Sequence, residues 1–165
     1  MTAFAVRVAG AADEAAVARV LRDSYPALMA AAYPPELLER ALPAITRPHP
    51  RLLASGAYYL CEAEGEPVGC GGWSFERPDS RETEPGVAHI RHFATRAGWA
   101  GRGVGRALYR RCEEEARAAG VRTFECQSSL NGERFYAAMG FVRIRPVAFA
   151  MGPVAFPGIL MRRSL

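Results

Sequence analysis

Over the first fifty residues the apolar positions change period. Residues 4–8 alternate apolar and polar, which predicts a short strand. From Asp13 the spacing turns helical, with Val17, Val20 and Leu21 on one stripe, and the Tyr25-Pro26 step is expected to break that helix. Residues 28–33 fit neither period. Pro34-Pro35 opens a second amphipathic helix carrying Leu37, Leu38, Ala41 and Leu42, and Pro43, Pro48 and Pro50 punctuate the stretch beyond it.

Residues 57–63 and 67–75 read as strands joined by the turn Glu64-Gly65-Glu66. Residues 76–86 form a polar loop, and Val87–Thr95 is the next strand. A helix is expected over 103–119, with Val104, Ala107, Leu108, Cys112, Ala116 and Ala119 on one face and Gly120 at its C′ position. A strand over 121–127, a short helix over 131–139 closed by Gly140, and a pair of strands over 141–151 and 156–161 complete the chain. Three consecutive strands imply an antiparallel meander, whereas strand-helix-strand implies a right-handed crossover and a parallel pair. The expected class is α/β (α+β), a mixed sheet with helices on both faces.

At 165 residues the chain is expected to form a single domain over 1–165. Half of it is hydrophobic and 23% charged, which suits a globular chain. No apolar run nears the roughly 18 residues of a membrane span. Residues 1–7 lack a charged region followed by an apolar one, so no leader is expected and the cytoplasm is the expected compartment. Cys61, Cys70, Cys112 and Cys126 are too dispersed for a metal site and read as buried free thiols, although Cys61 and Cys70 flank the hairpin.

The net charge of +4 is carried entirely by arginine on the basic side, since the chain has no lysine. That excludes a P-loop lysine, a Schiff-base lysine and a pyridoxal-phosphate site. The arginines are scattered and form no stripe interleaved with aromatics, so neither nucleic acid nor a membrane is an expected partner.

The chemistry concentrates in residues 89–106, a strand, a glycine-rich turn and a helix start. Amides at such a start are unpaired and suit an anion. Arg102 and Arg106 sit where the helix dipole is already positive, at a cost of roughly 0.3–1 kcal/mol each unless an anion is near. A phosphorylated cofactor is the expected ligand. It is not a dinucleotide in a GxGxxG loop: from Gly101 the last position of that pattern is Arg106, and from Gly103 it is Leu108.

The run Ala100-Gly101-Arg102-Gly103-Val104-Gly105 resembles the [QR]xxGxG/A signature of the GCN5-related N-acetyltransferase (GNAT) superfamily, with Ala100 in place of the leading Gln or Arg. Phe135-Tyr136-Ala137-Ala138-Met139-Gly140-Phe141 resembles its second motif, FYxxxGF. The resemblance implies a mixed six- or seven-stranded sheet flanked by helices and splayed between strands 4 and 5, with acetyl-CoA in the splay. It implies an N-acetyltransferase that moves acetyl to a primary amine of a small molecule by direct transfer. A peptide or protein acetyltransferase and a non-catalytic acyl-CoA-binding module are the alternatives, and a homodimer is left open.

The same resemblance implies the site residues. Amides of Gly101, Arg102, Gly103, Val104, Gly105 and Arg106 would hold the pyrophosphate, with a charge from Arg102 or Arg106. Backbone of Phe93, Ala94 and Thr95 would pair with the pantetheine arm and supply the oxyanion donor, and Ser129 or Asn131 would reach that arm. Tyr136 would lie near the sulfur and protonate the thiolate; its helical position away from the Phe135 and Met139 stripe suits that role. His89 aligns with a strand position where relatives carry a catalytic Glu or His, with water anchored by Glu76 or Glu125 as the alternative base. Strand parity groups His89 with Arg91, Phe93 and Thr95 and puts His92 on the other face. Tyr25, Tyr33, Trp73 and Phe75 are candidates for the acceptor pocket.

Overall fold

The computed structural model describes residues 3–165; Met1 and Thr2, the start of the stretch read for a leader, lie outside the described residues. The strands are β1 (Ala5–Val8), β2 (Tyr58–Ala63), β3 (Glu66–Ser74), β4 (Val87–Thr95), β5 (Thr123–Ser129), β6 (Val142–Met151) and β7 (Val154–Ser164). The helices are α1 (Glu14–Leu28), α2 (Pro35–Ile45), α3 (Pro50–Ala54), α4 (Val104–Ala118) and α5 (Glu133–Ala138). The strands form one mixed sheet of seven in the order β1-β2-β3-β4-β5-β7-β6. β2 to β4 are the antiparallel meander that three consecutive strands imply, β1 pairs antiparallel with β2 at the edge after a connection through α1, α2 and α3, and the β4-α4-β5 crossover gives the parallel pair that the element order implies.

Helices cover both faces, which explains why β2 is buried almost throughout. Tyr59, Cys61 and Ala63 pack with α4 residues Val104, Leu108 and Cys112, while Tyr58 and Leu60 pack with α1 and α2 residues Val17, Leu21 and Leu38. The register sets Cys70 opposite Leu60, so Cys61 and Cys70 belong to different cores and all four cysteines are buried free thiols. Burial pushes the Cys61 thiol up to about 11 and Cys70 to about 12.

Tyr25-Pro26 does not break the first helix, which runs to Leu28. Pro26 forfeits only the bond to the Arg22 carbonyl, and both residues face water, so solvent takes that carbonyl. Pro43 lies inside α2 on an exposed side for the same reason. Pro50 opens a short helix, α3, where the sequence suggested only punctuation. On α4 the buried face includes Tyr109 and leaves out Ala119. Gly120, with φ of 88°, occupies the left-handed C′ position, and the Val121 amide closes the turn on Ala116 at 2.9 Å.

Candidate active site

β4 and β5 pair over only three positions, Val87 with Thr123, Ala88 with Phe124 and His89 with Glu125. Both strands continue, to Thr95 and Ser129, but past His89 and Glu125 they part. Between them opens a cleft of about 510 Å³. Its walls include Phe93, Ala94 and Thr95 from β4, Ser129 and Asn131 from the end of β5 and the turn beyond, and Tyr136 from α5. Its mouth includes Gly101, Gly103, Val104, Gly105 and Arg106. Of the thirteen residues expected to hold the cofactor or to act as acid or base, eleven share this cavity; Arg102 and His89 do not line it.

A glycine turn shapes the mouth. Gly101 and Gly103 have φ of 74° and 93°, left-handed values that a side chain would strain. Gly103 is the N-cap of α4 and offers no side-chain acceptor, and only from Ala107 does an amide bond back, to Gly103 at 3.0 Å. Among the described residues the amides of 101–106 have no hydrogen-bond acceptor. These donors, with the α4 dipole and Arg106, form an electropositive cradle. The Arg102 guanidinium lies over the Trp99 ring, 3.9 Å from its centroid, beside the cradle. Gly105 is required by packing, because a Cβ there would come within 2.8 Å of the Phe135 ring.

At the inner end, β4 carries a bulge. Cys70 pairs with Ala94 and Gly72 with Arg91, so Gly71 faces both His92 and Phe93. His92 takes φ of 54°, and a Cβ on Gly71 would collide with the Phe93 ring. The bulge reverses the parity read from sequence. Phe93 packs with Ala88, Ile90 and α4, whereas His92 points to the α1 and α2 side, with its Nε2 2.8 Å from the Ile45 carbonyl. His89 and Arg91 therefore share a face with His92, not with Phe93 and Thr95. Two tyrosines hold the bulge from that side. Tyr25 Oη donates to the Phe93 carbonyl at 2.8 Å and Tyr58 Oη to the His92 carbonyl at 2.7 Å.

Tyr136 is 8% exposed, packed edge-on against Phe93, Phe135 and Phe141, and it belongs to the core while lining the cleft. Met139 is buried in the same core, so the helical stripe did not separate a packing face from a site face. Burial pushes the Tyr136 phenol well above its ordinary value, with Cys126 beside it, so the hydroxyl keeps its proton at neutral pH. His89 is 5% exposed, and its Nδ1 is 3.7 Å from Glu125 Oε1. Burial lowers its pKa, opposed by the Glu125 charge. Glu125 also accepts from Arg162 at 2.5 Å.

The sequence did not point to Ser24, Leu28 and Met29, which α1 and the residue after it contribute to the same cleft together with Tyr25. No local pattern marks them: Ser24 is a lone polar position on the Val17, Val20 and Leu21 stripe, and Leu28 and Met29 fall in the stretch that fits neither period. Tyr33 is a packing residue, donating to the Pro157 carbonyl at 2.6 Å and accepting from the Leu130 amide. Trp73 and Phe75 line a separate cavity.

The fold is shared with known acetyltransferases. A GCN5-related N-acetyltransferase from Rhodopseudomonas palustris superposes with a TM-score of 0.83 at 25% identity, covering 100% of this chain and 98% of that one. A GCN5-related N-acetyltransferase from Kribbella flavida gives 0.64 at 26% identity, covering 99% and 98%. PaiA N-acetyltransferase from Thermoplasma acidophilum, in complex with coenzyme A, gives 0.77 at 14% identity, covering 99% of each. No curated protein matches at the level of sequence. The model of the acetyltransferase (GNAT) family matches residues 16–141, which span the glycine turn and the aromatic motif, and the chain belongs to that family.

Proposed function

We propose that this protein transfers the acetyl group of acetyl-CoA to a primary amine of a small molecule, directly and without a metal. The observation that carries the reading is the set of unpaired amides at 101–106 standing at the mouth of a cleft where β4 and β5 part. The coenzyme A bound to the Thermoplasma acidophilum relative supports it.

Acetyl-CoA supplies the activated acyl thioester. The 101–106 amides and Arg106 bind its pyrophosphate, and Arg102 adds charge from its place on Trp99. Backbone of Phe93, Ala94 and Thr95 aligns the pantetheine arm as an added strand, with Ser129 or Asn131 on the opposite wall. A β4 amide polarises the acyl oxygen. Tyr136 donates a proton to the departing sulfur, a task suited to a phenol that burial keeps protonated. His89 accepts the amine proton through water, because it stands at the vertex of the splay and does not line the cleft. Its lowered pKa leaves the imidazole free to accept at neutral pH, and Glu125 stabilises the cation that forms.

The test is thermal melting with acetyl-CoA and with NAD, followed by CoA release over amines, amino acids, aminoglycosides and peptides. The expected result is a shift with acetyl-CoA alone, of about 2.7 kcal/mol at 100 times its Kd. A shift with NAD and none with acetyl-CoA overturns the reading. Turnover of peptides alone moves the acceptor to proteins.

A further inference from the structure

A second cavity, of about 580 Å³, opens beside the same strand, between α3, the end of β3 and the loop of residues 76–86. It shares no lining residue with the first cleft. Four arginines, Arg51, Arg77, Arg81 and Arg91, line it against one carboxylate, Glu76. Glu76 is engaged by Arg51, whose Nη2 is 2.9 Å from both its oxygens. Among the described residues no carboxylate lies within 4 Å of Arg77, Arg81 or Arg91. Arg91 is half-buried, and among the described residues its side chain donates only to Ser74 Oγ, at 2.9 Å. Glu76 is the carboxylate near Arg91, and it is paired with Arg51; a further anion would give the cavity's arginines charge-assisted, bidentate bonds that Glu76 does not supply to Arg91. Trp73 and Phe75, edge to face at 5.3 Å, add an apolar wall.

The two cavities flank the bulge. The His92 ring lies between Tyr25, which lines the first, and His49, which lines the second, with centroids 5.9 Å and 5.1 Å away. Along β4, Arg91 and Phe93 stand on either side of the bulge at His92, Arg91 lining the second cavity and Phe93 the first. A small molecule anchored at Arg91 therefore lies beside the stretch of β4, Phe93 to Thr95, that lines the first cleft.

Resting on the acetyl-transfer reading, we propose that this cavity selects the acceptor: a small amine bearing an anionic group, carboxylate or phosphate, gripped by Arg91 and Arg77 with its carbon skeleton against Trp73 and Phe75. The amine nitrogen points to the cleft and the anion away from it.

Two measurements test this. Melting with millimolar malonate or inorganic phosphate, against chloride at equal ionic strength, reads the anion site directly. A rise of a few degrees is expected in the wild type, lost in Arg91→Gln and reduced in Arg77→Gln, a solvent-facing change that leaves the core intact. CoA release is then compared for β-alanine and its amide, and for phosphoethanolamine and ethanolamine. The anionic member of one pair should be preferred by at least about tenfold in kcat/KM, the gain of one charge-assisted contact, and which pair responds separates carboxylate from phosphate. Arg91→Gln should erase that preference and keep the acetyl-CoA melting shift. No anion shift in the wild type, or the same shift in both variants, overturns the site. A lack of preference, whether both members of each pair react or neither does, overturns the acceptor assignment. An anion shift with no acetyl-CoA shift removes the acetyl-transfer reading and leaves the anion site standing.

Discussion

His89 and Glu125 are the last residues at which β4 and β5 pair, and their side chains remain 3.7 Å apart at the point where the sheet divides. This buried pair marks the vertex of the cleft. Arg162 supports it from β7, the neighbour of β5.

His89→Gln should remove the low-pH limb of kcat/KM with a good acceptor. In the wild type that limb should lie below the ordinary histidine value, because burial depresses His89. The acceptor ammonium titrates near 8 to 10.4, as amines do, so the limbs separate. Glu125→Gln should move the limb lower still, since it removes the charge that supports the imidazolium. An unchanged profile in both variants assigns the amine proton to another group.

Tyr136→Phe should lower kcat by on the order of 10²–10⁴, the usual share of general acid catalysis, and leave acetyl-CoA affinity nearly intact. The ring keeps its packing against Phe93, Phe135 and Phe141, so the protein should remain folded. Steady-state kinetics beside a binding isotherm checks both halves. Full turnover would give the proton donation to water.

Gly103→Asp should weaken acetyl-CoA by more than about tenfold, because a carboxylate replaces the anion at the amide cradle. A Cβ at this position meets only Phe4, at 3.5 Å, so the fold should survive. Gly103→Ala carries the same left-handed backbone strain without the charge and should lose much less affinity. Calorimetric titration of both variants separates the two effects.

Stability should fall as the pH drops from about 6.5 toward 4, the window set by the histidines. The His92 pKa is depressed to about 4, with burial the main cause and the Ile45 carbonyl opposing it, and His49 and His89 are also lowered. A depressed group binds its proton more readily in the unfolded chain, so its contribution is present above the unfolded value and lost through the folded one. At about 1.36 kcal/mol per pH unit, His92 alone accounts for on the order of 2–3 kcal/mol. Carboxylates such as Asp13, lowered chiefly by its hydrogen bond from Arg7, act below this window. Urea unfolding at pH 7 and 4.5 should show the loss, and His92→Gln should flatten it.

Which strands and helices form, and in what order, is legible along the chain, because period, proline and glycine act over a few residues. The cofactor mouth is legible for the same reason: Gly103 and the amides after it form an anion cradle by local backbone geometry alone. Other features depend on parts of the chain far from one another. Pro26 stays helical only because Arg22 faces water. His89 and Arg91 part from Phe93 and join His92 on one face because Gly71, on another strand, leaves room for the Phe93 ring and allows the bulge. Phe93 and Tyr136 meet although 43 positions separate them in the sequence, and Arg91 joins Arg51 and Arg77 only where β4 passes α3 and the loop before it. These are long-range contacts, and side-chain periodicity along one segment carries no information about what the opposite strand or helix presents to it.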